Sequence, residues 1–290
     1  MTLSVSRRGF FKASLASAVA VSPWMSQLVA ALDNPERQQV FSHGIASGDP
    51  TQRSIVLWTR VAPSLAATSH QSGSNPAAAA PVPATASINQ STAQNTAQSN
   101  SQIAVRWEVA EDAEFETLLQ QGVVHTHADR DYTVNVDVSG LEPGREYFYR
   151  FTANGVASEP GRTRTLPEGK LDDLCLAVAS CSSFAHGYFN GYQVIAADPD
   201  VEFVLHLGDY IYEYGVDGYG GKTGTSINRD HQPAHEIVSL SDYRIRHGQY
   251  KADRASRLMH AAHPMIAIWD DHESANNPYK DGAENHQPET

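Results

Sequence analysis

The sequence predicts a two-domain α+β chain, a β-sandwich followed by an open parallel α/β domain. Between residues 45 and 153 short strand-like runs recur with turn residues between them, the pattern of a sandwich. From residue 171 the pattern becomes apolar strand, helix, apolar strand, which argues for a parallel sheet with helices on its faces. Residues 163–170, with Pro167 and Gly169, mark the linker between the two.

Within the sandwich, Ser47-Gly48-Asp49-Pro50 is turn chemistry, and Ile55-Val56-Leu57-Trp58-Thr59 has strand composition. Residues 103–109 form a period-2 strand with Val105, Trp107 and Val109 on one face. Further strands are expected over 123–127, 132–138 and 147–153, the last after a Pro143-Gly144 turn. Residues 64–102 carry no charged side chain and little but Ala, Ser, Thr, Gln, Asn and Pro. Such a stretch has too little apolar bulk to offset ordering and is expected to be a disordered insertion inside a sandwich spanning 38–166. In the second domain, strands are expected at 174–180, 201–207 and 264–269. Helices are expected at 188–197 and 242–259, the latter capped by Ser241, and the glycine-rich run 215–224 is expected to be loop.

A formal charge of −12, with no basic run, argues against a nucleic-acid-binding surface. At the N-terminus, Ser6-Arg7-Arg8-Gly9-Phe10-Phe11-Lys12 precedes a weakly apolar, alanine-rich run and small residues at Ala30 and Ala31. This order of features reads as a twin-arginine signal peptide over residues 1–31, cleaved near Ala30 or Ala31. It implies a passing partnership with the Tat translocase and a periplasmic or secreted protein with no stable membrane span after cleavage. The two cysteines, Cys175 and Cys181, would lie about 20 Å apart on one extended strand, too far to pair. Cys175 is expected to be a small buried hydrophobe.

The chemistry concentrates at three strand ends. The apolar run 201–205 leads into His206-Leu207-Gly208-Asp209-Tyr210-Ile211-Tyr212-Glu213, residues 176–180 lead into Cys181, and residues 265–269 lead into Asp270-Asp271-His272-Glu273. In open α/β sheets, ligands gather outside the carboxyl ends of the strands. Asp209 and Tyr212, three residues apart, offer a carboxylate and a phenol to a hard cation; alone, a Gly-Asp pair after a strand is usually a turn, and Tyr212 shifts the balance. His206, on the apolar strand, reads as a core histidine. Asp271 and His272 are either a metal ligand beside a general acid or the acidic start of a helix. Cys181 is a nucleophile, a metal thiolate or an inert thiol.

Taken together, these pieces resemble the PhoD-like alkaline phosphatase D family of calcineurin-like metallophosphoesterases. The matching segments are residues 44–50 with 56–61, then Ser180-Cys181-Ser182, then 206–213, then His260 to Pro264 leading into 269–273. The resemblance implies a fibronectin-III-like sandwich, a phosphoesterase domain beginning near residue 171, and a site holding Fe(3+) and Ca(2+). It implies Cys181 and Tyr212 as iron ligands, Asp209 as a bridge between the metals and Asp271 on the second metal. His272 would contact the phosphate or the leaving group of a phosphate mono- or diester. The family pattern continues beyond the Asp-Asp-His-Glu motif with a Gly-Asp-x-His segment, which this sequence lacks. The expectation is therefore an incomplete α/β metallophosphoesterase domain over 171–290 with impaired hydrolysis, the alternative being an inactive binding remnant.

Overall fold

The computed structural model describes residues 23–62 and 102–285. The twin-arginine segment and almost all of the insertion at 64–102 lie outside the described residues. The described residues begin with helices α1 (Pro23–Leu32) and α2 (Pro35–Val40), the second capped by Asn34, whose side chain accepts from the backbone of Glu36 and Arg37. The expected cleavage position falls at the end of α1, where Leu28, Ala31 and Leu32 are buried. Among the described residues no helix is long and apolar enough to cross a membrane.

Eight strands follow: β1 (Ile45–Gly48), β2 (Ser54–Arg60), β3 (Ile103–Ala110), β4 (Leu118–Thr126), β5 (Thr133–Ser139), β6 (Glu146–Ala153), β7 (Val156–Ala157) and β8 (Gly161–Arg164). Then come β9 (Leu176–Ala179), α3 (Asn190–Ala197), β10 (Phe203–His206), α4 (Gly221–Ser226), α5 (Leu240–Ala252), α6 (Arg254–Ala262) and β11 (Met265–Ala267). β3, β4, β6 and β7 make one sheet, with β8 also paired to β6. The other sheet has the order β5-β2-β1-β11-β10-β9. It is antiparallel through β5, β2 and β1, and parallel from β1 through β11 and β10 to β9.

That second sheet crosses the boundary seen in the sequence pattern. β1 and β11 meet where Gly48 faces Met265, and a Cβ on Gly48 would sit 2.8 Å from the Met265 carbonyl oxygen. Glycine permits this approach because it carries no side chain. A buried ion pair between Glu159 and Arg257, at 3.3 Å, ties the segment before β8 to α6. One core cluster accordingly joins Ile55, Val105 and Phe151 to Val204, Ile211 and Met259.

Several local expectations are revised. Strand β9 lies at the sheet edge with Leu176 and Val178 exposed, so it is not a buried strand, and Cys175, just before it, is exposed. The single helix expected over 242–259 is two, because Asp253 adopts an extended backbone and caps α6. Ser239, not Ser241, caps α5: its hydroxyl accepts from the Asp242 backbone while the Asp242 carboxylate accepts from the Ser239 backbone. The glycine-rich run is not wholly loop, since α4 begins inside it. Residues 163 and 164 belong to β8 rather than to a linker.

His206, as expected, is a core residue, its Nε2 paired with the Tyr192 hydroxyl at 2.8 Å. Burial pushes His206, His231 and His263 down to about 4, so all three are neutral in the folded chain near neutral pH. Below their ordinary value near 6.5 the unfolded chain binds protons that the folded chain does not. Stability is therefore fully present above about 6.5 and is expected to fall by a few kcal/mol as pH drops towards 4. Urea denaturation at stepped pH checks this, and a flat profile over that window contradicts it. Gly48→Ala is expected to cost about 1–3 kcal/mol in the same assay, because the new methyl must displace the Met265 carbonyl.

Candidate metal centre

Parallel pairing of β9, β10 and β11 places their carboxyl ends side by side. Backbone hydrogen bonds then tie the loops leaving β9 and β10: the Cys181 N–H donates to the Gly208 carbonyl at 3.2 Å, and the Ser182 N–H to the Asp209 carbonyl at 3.1 Å. Both Cys181 (φ 55°) and Asp209 (φ 51°) turn into the left-handed region here, which costs non-glycine residues about 1 kcal/mol or more. Gly208, also left-handed, lets its backbone lie against that of Asp270.

Asp209, Asp271 and His272 each present a ligand atom, and these atoms lie within 4.8 Å of one another. The Tyr212 hydroxyl donates to Asp209 Oδ2 at 3.1 Å and the His272 backbone N–H lies 3.4 Å from Oδ1, while the Cys181 thiol is near enough to act on the same carboxylate but stands outside the three-residue cluster. Two of the expected site residues, Tyr212 and His272, thus bond directly to a third, Asp209, with Cys181 nearby. The fifth, Asp271, lies beside them and accepts from the Asn277 N–H at 2.7 Å, and no helix follows it. The helix-start alternative for the Asp-Asp-His-Glu motif is therefore not realised.

The two carboxylates differ in charge environment. Burial pushes Asp209 above the ordinary carboxylate value, against the opposing pull of His272, Cys181 and Tyr212. Burial also acts to raise Asp271, but the Asn277 N–H and His272 outweigh it, and Asp271 ends below the ordinary value. The Tyr212 phenol is pushed up, first by burial and then by the Asp209 charge. Two acids and an imidazole converging here, with the Tyr212 phenol on Asp209 and the Cys181 thiol nearby, form a donor set for hard and borderline cations, and a cation there would favour the ionised form of the acids, phenol and thiol.

Two glutamates outside the expected set hold the loops together. Glu273, from the loop after β11, accepts from the backbone N–H groups of Asp209 (3.1 Å), Tyr210 (2.5 Å) and Asp270 (2.7 Å). Glu213, from the loop after β10, is fully buried. It accepts from His272 Nδ1 at 2.8 Å, the Asn276 N–H at 2.7 Å and the Asn285 side chain at 2.9 Å. A carboxylate can only accept, so Nδ1 of His272 carries a proton and Nε2 is the atom free to exchange one. The His272 ring also lies against Tyr212, with centroids 4.2 Å apart. Arg246, buried among backbone carbonyls, donates to those of Tyr212, Gln232 and Pro233 and fixes the peptide that carries Tyr212. Neither glutamate's role is signalled by spacing, although each sits inside a motif; only the fold shows that each reaches across to the other's loop.

Residues 176–290 match the model of the PhoD-like phosphatases, and residues 26–167 match that of the PhoD-like phosphatase N-terminal domain. The chain belongs to the PhoD-like phosphatase family. Alkaline phosphatase D of Bacillus subtilis (strain 168) is 38% identical over 239 residues, covering 82% of this chain and 36% of that protein. A solved structure described as that of PhoD superposes with a TM-score of 0.65 at 35% identity, covering 83% of this chain and 42% of the solved one. This PhoD-like chain therefore spans well under half the length of the relatives it matches. Its mixed α/β architecture is that of the PhoD structure.

Replacing Glu273 with Ala leaves three backbone donors of the PhoD-like loop pair without their acceptor. The expected cost is on the order of 2–3 kcal/mol in urea denaturation, with faster amide hydrogen exchange at residues 209 and 210. Exchange at these amides as slow as in the parent chain would show that Glu273 does not hold the loop.

Proposed function

We propose that this chain carries the strand-end half of a metal-dependent phosphoesterase centre that hydrolyses phosphate mono- or diesters. The observation that carries the reading is the convergence of Asp209, Asp271 and His272, with the Tyr212 hydroxyl on the Asp209 carboxylate and Cys181 nearby. Family membership supports the same chemistry.

The donor types fit two cations of different character. Cys181 and Tyr212, a thiolate and a phenolate once ionised, suit Fe(3+), while Asp271 suits an oxygen-seeking ion such as Ca(2+), and Asp209 stands between the two groups. When bound, such a pair supplies Lewis-acid stabilisation of phosphoryl charge and a water of lowered pKa. The protein's own part is positioning and proton transfer. Asp209 and Asp271 give the site its negative charge, and the Glu213 carboxylate holds His272 so that Nε2 is free to take a proton from the attacking water and return it to the departing oxygen. Tyr212, packed on His272, keeps the ring from rotating. The strand-rich first half is read as fibronectin-III-like and residues 171–290 as the first part of a metallophosphoesterase domain. Residues 6–12 support export by the twin-arginine route to the periplasm or beyond.

The test combines a spectrum with an assay. Fe(3+) added to the purified chain is expected to produce a visible phenolate-to-iron band that is lost in Tyr212→Phe and reversed by chelator. Hydrolysis of a chromogenic phosphodiester at alkaline pH, with Fe(3+) and Ca(2+) supplied, is expected to fall at least about 100-fold in Asp209→Asn. An unchanged band in Tyr212→Phe, or turnover indifferent to Asp209→Asn, would refute the assignment.

A further inference from the structure

Beside the candidate centre lies a cavity of about 610 Å³ whose floor includes Cys181 and Tyr212 and whose wall includes His186, Tyr188 and Tyr219. None of its lining side chains is a carboxylate, an ammonium or a guanidinium. It adjoins the metal centre through Cys181 and Tyr212. Tyr188 and Tyr219 are 64% and 61% exposed.

These rings are held rather than loose. Tyr219 packs on His186 with centroids 4.5 Å apart, and His186 Nδ1 is fixed by the Ser183 hydroxyl at 2.8 Å. The close approach depends on Gly220, where the backbone is left-handed (φ +83°) and a Cβ would fall 2.5 Å from His186 Cε1. On the other side the Arg229 guanidinium lies 5.0 Å from the Tyr188 ring centroid. That guanidinium is anchored in turn by Asp253 at 2.8 Å and the Phe184 carbonyl at 2.9 Å. A second aromatic series runs inward, from Tyr219 to Tyr214 (5.8 Å) and from Tyr214 to His272 (5.5 Å). The wall is thus continuous with the residue placed to protonate the leaving group.

We propose that this wall is a subsite for a planar aromatic ring on the leaving group, so that the chain selects phosphoesters whose esterified alcohol carries such a ring over those of small acyclic alcohols. The inference rests on the phosphoester reading above and adds a substrate class to it. A neutral ring inserted here gains stacking on Tyr219 and Tyr188 without leaving any charged group unpaired. Its attachment oxygen would then lie towards Cys181, Tyr212 and His272. A charged or acyclic group gains neither contact.

Non-hydrolysable phosphonates test this without turnover. The chain, supplied with Fe(3+) and Ca(2+), is titrated calorimetrically with phenylphosphonate, cyclohexylphosphonate and methylphosphonate. Phenylphosphonate is expected to bind about tenfold tighter than methylphosphonate, as stacking on one aromatic face provides. In Tyr219→Ala that preference is expected to shrink to about twofold with methylphosphonate affinity unchanged, and Tyr219→Phe is expected to retain it. Equal affinity for phenyl and methyl compounds, equal affinity for phenyl and cyclohexyl compounds, or a preference that survives in a Tyr188→Ala, Tyr219→Ala double variant would each overturn the subsite while leaving the phosphoester reading standing. Failure of methylphosphonate itself to bind would overturn both.

Discussion

The arrangement around Asp209 depends on a reciprocal exchange of carboxylates between two loops. Glu273 leaves the β11 loop to collect backbone donors of the β10 loop, and Glu213 leaves the β10 loop to collect His272 and Asn276 of the β11 loop. Each loop is ordered by an acid it does not itself contain. Charge-assisted hydrogen bonds of this kind are stronger than neutral ones, and they offset the left-handed turns at Cys181 and Asp209. Without them, strand ends in register would still present Asp209, Asp271 and His272 to the same region, but not at a common point.

The electrostatics follow from that geometry, because the acids of the two loops divide by role. Glu213 and Glu273 each collect three N–H donors, while Asp209 and Asp271, which accept fewer such bonds from His272 and Asn277, also hold oxygens within 4.8 Å of each other and of a His272 ring nitrogen. The first pair is satisfied by the protein, and the second is left with capacity for a cation. The raised position of Asp209 is a property of the cation-free chain, since burial there opposes charge that a bound ion would favour.

Much of the site is legible in the sequence because it follows from two coarse rules: apolar strands end in polar loops, and parallel strands put those ends together. That is why Cys181, Asp209, Tyr212, Asp271 and His272 stand out as candidates at strand ends, although their separate roles come only from the family resemblance. What stays hidden depends on contacts between distant segments. Nothing near Glu213 announces that it will meet residue 272, and Gly48 looks like an ordinary turn glycine until Met265 is seen beside it. The apolar run around Cys175 reads as buried because composition cannot say which strand will lie at an edge. Ser241 reads as the cap of α5 as readily as Ser239, because the reciprocal bond with Asp242, not the serine itself, selects the helix start. The glycine-rich run conceals the aromatic wall for a similar reason: glycine reads as loop, whereas Gly220 makes room for a ring.

The contact of β1 with β11 bears on how such a molecule is taken apart. A sheet shared across the boundary means that cutting near residues 165–175 does not yield two finished modules. One product would end in a bare β1 edge and the other in a bare β11 edge, each with unpaired backbone groups open to pairing with another chain. Exchanging the first half for that of another protein would meet the same obstacle, because the replacement must bring both a strand in the right direction and a residue without a side chain opposite Met265. The first half of the chain is thus less a neighbour of the second than the remainder of its sheet.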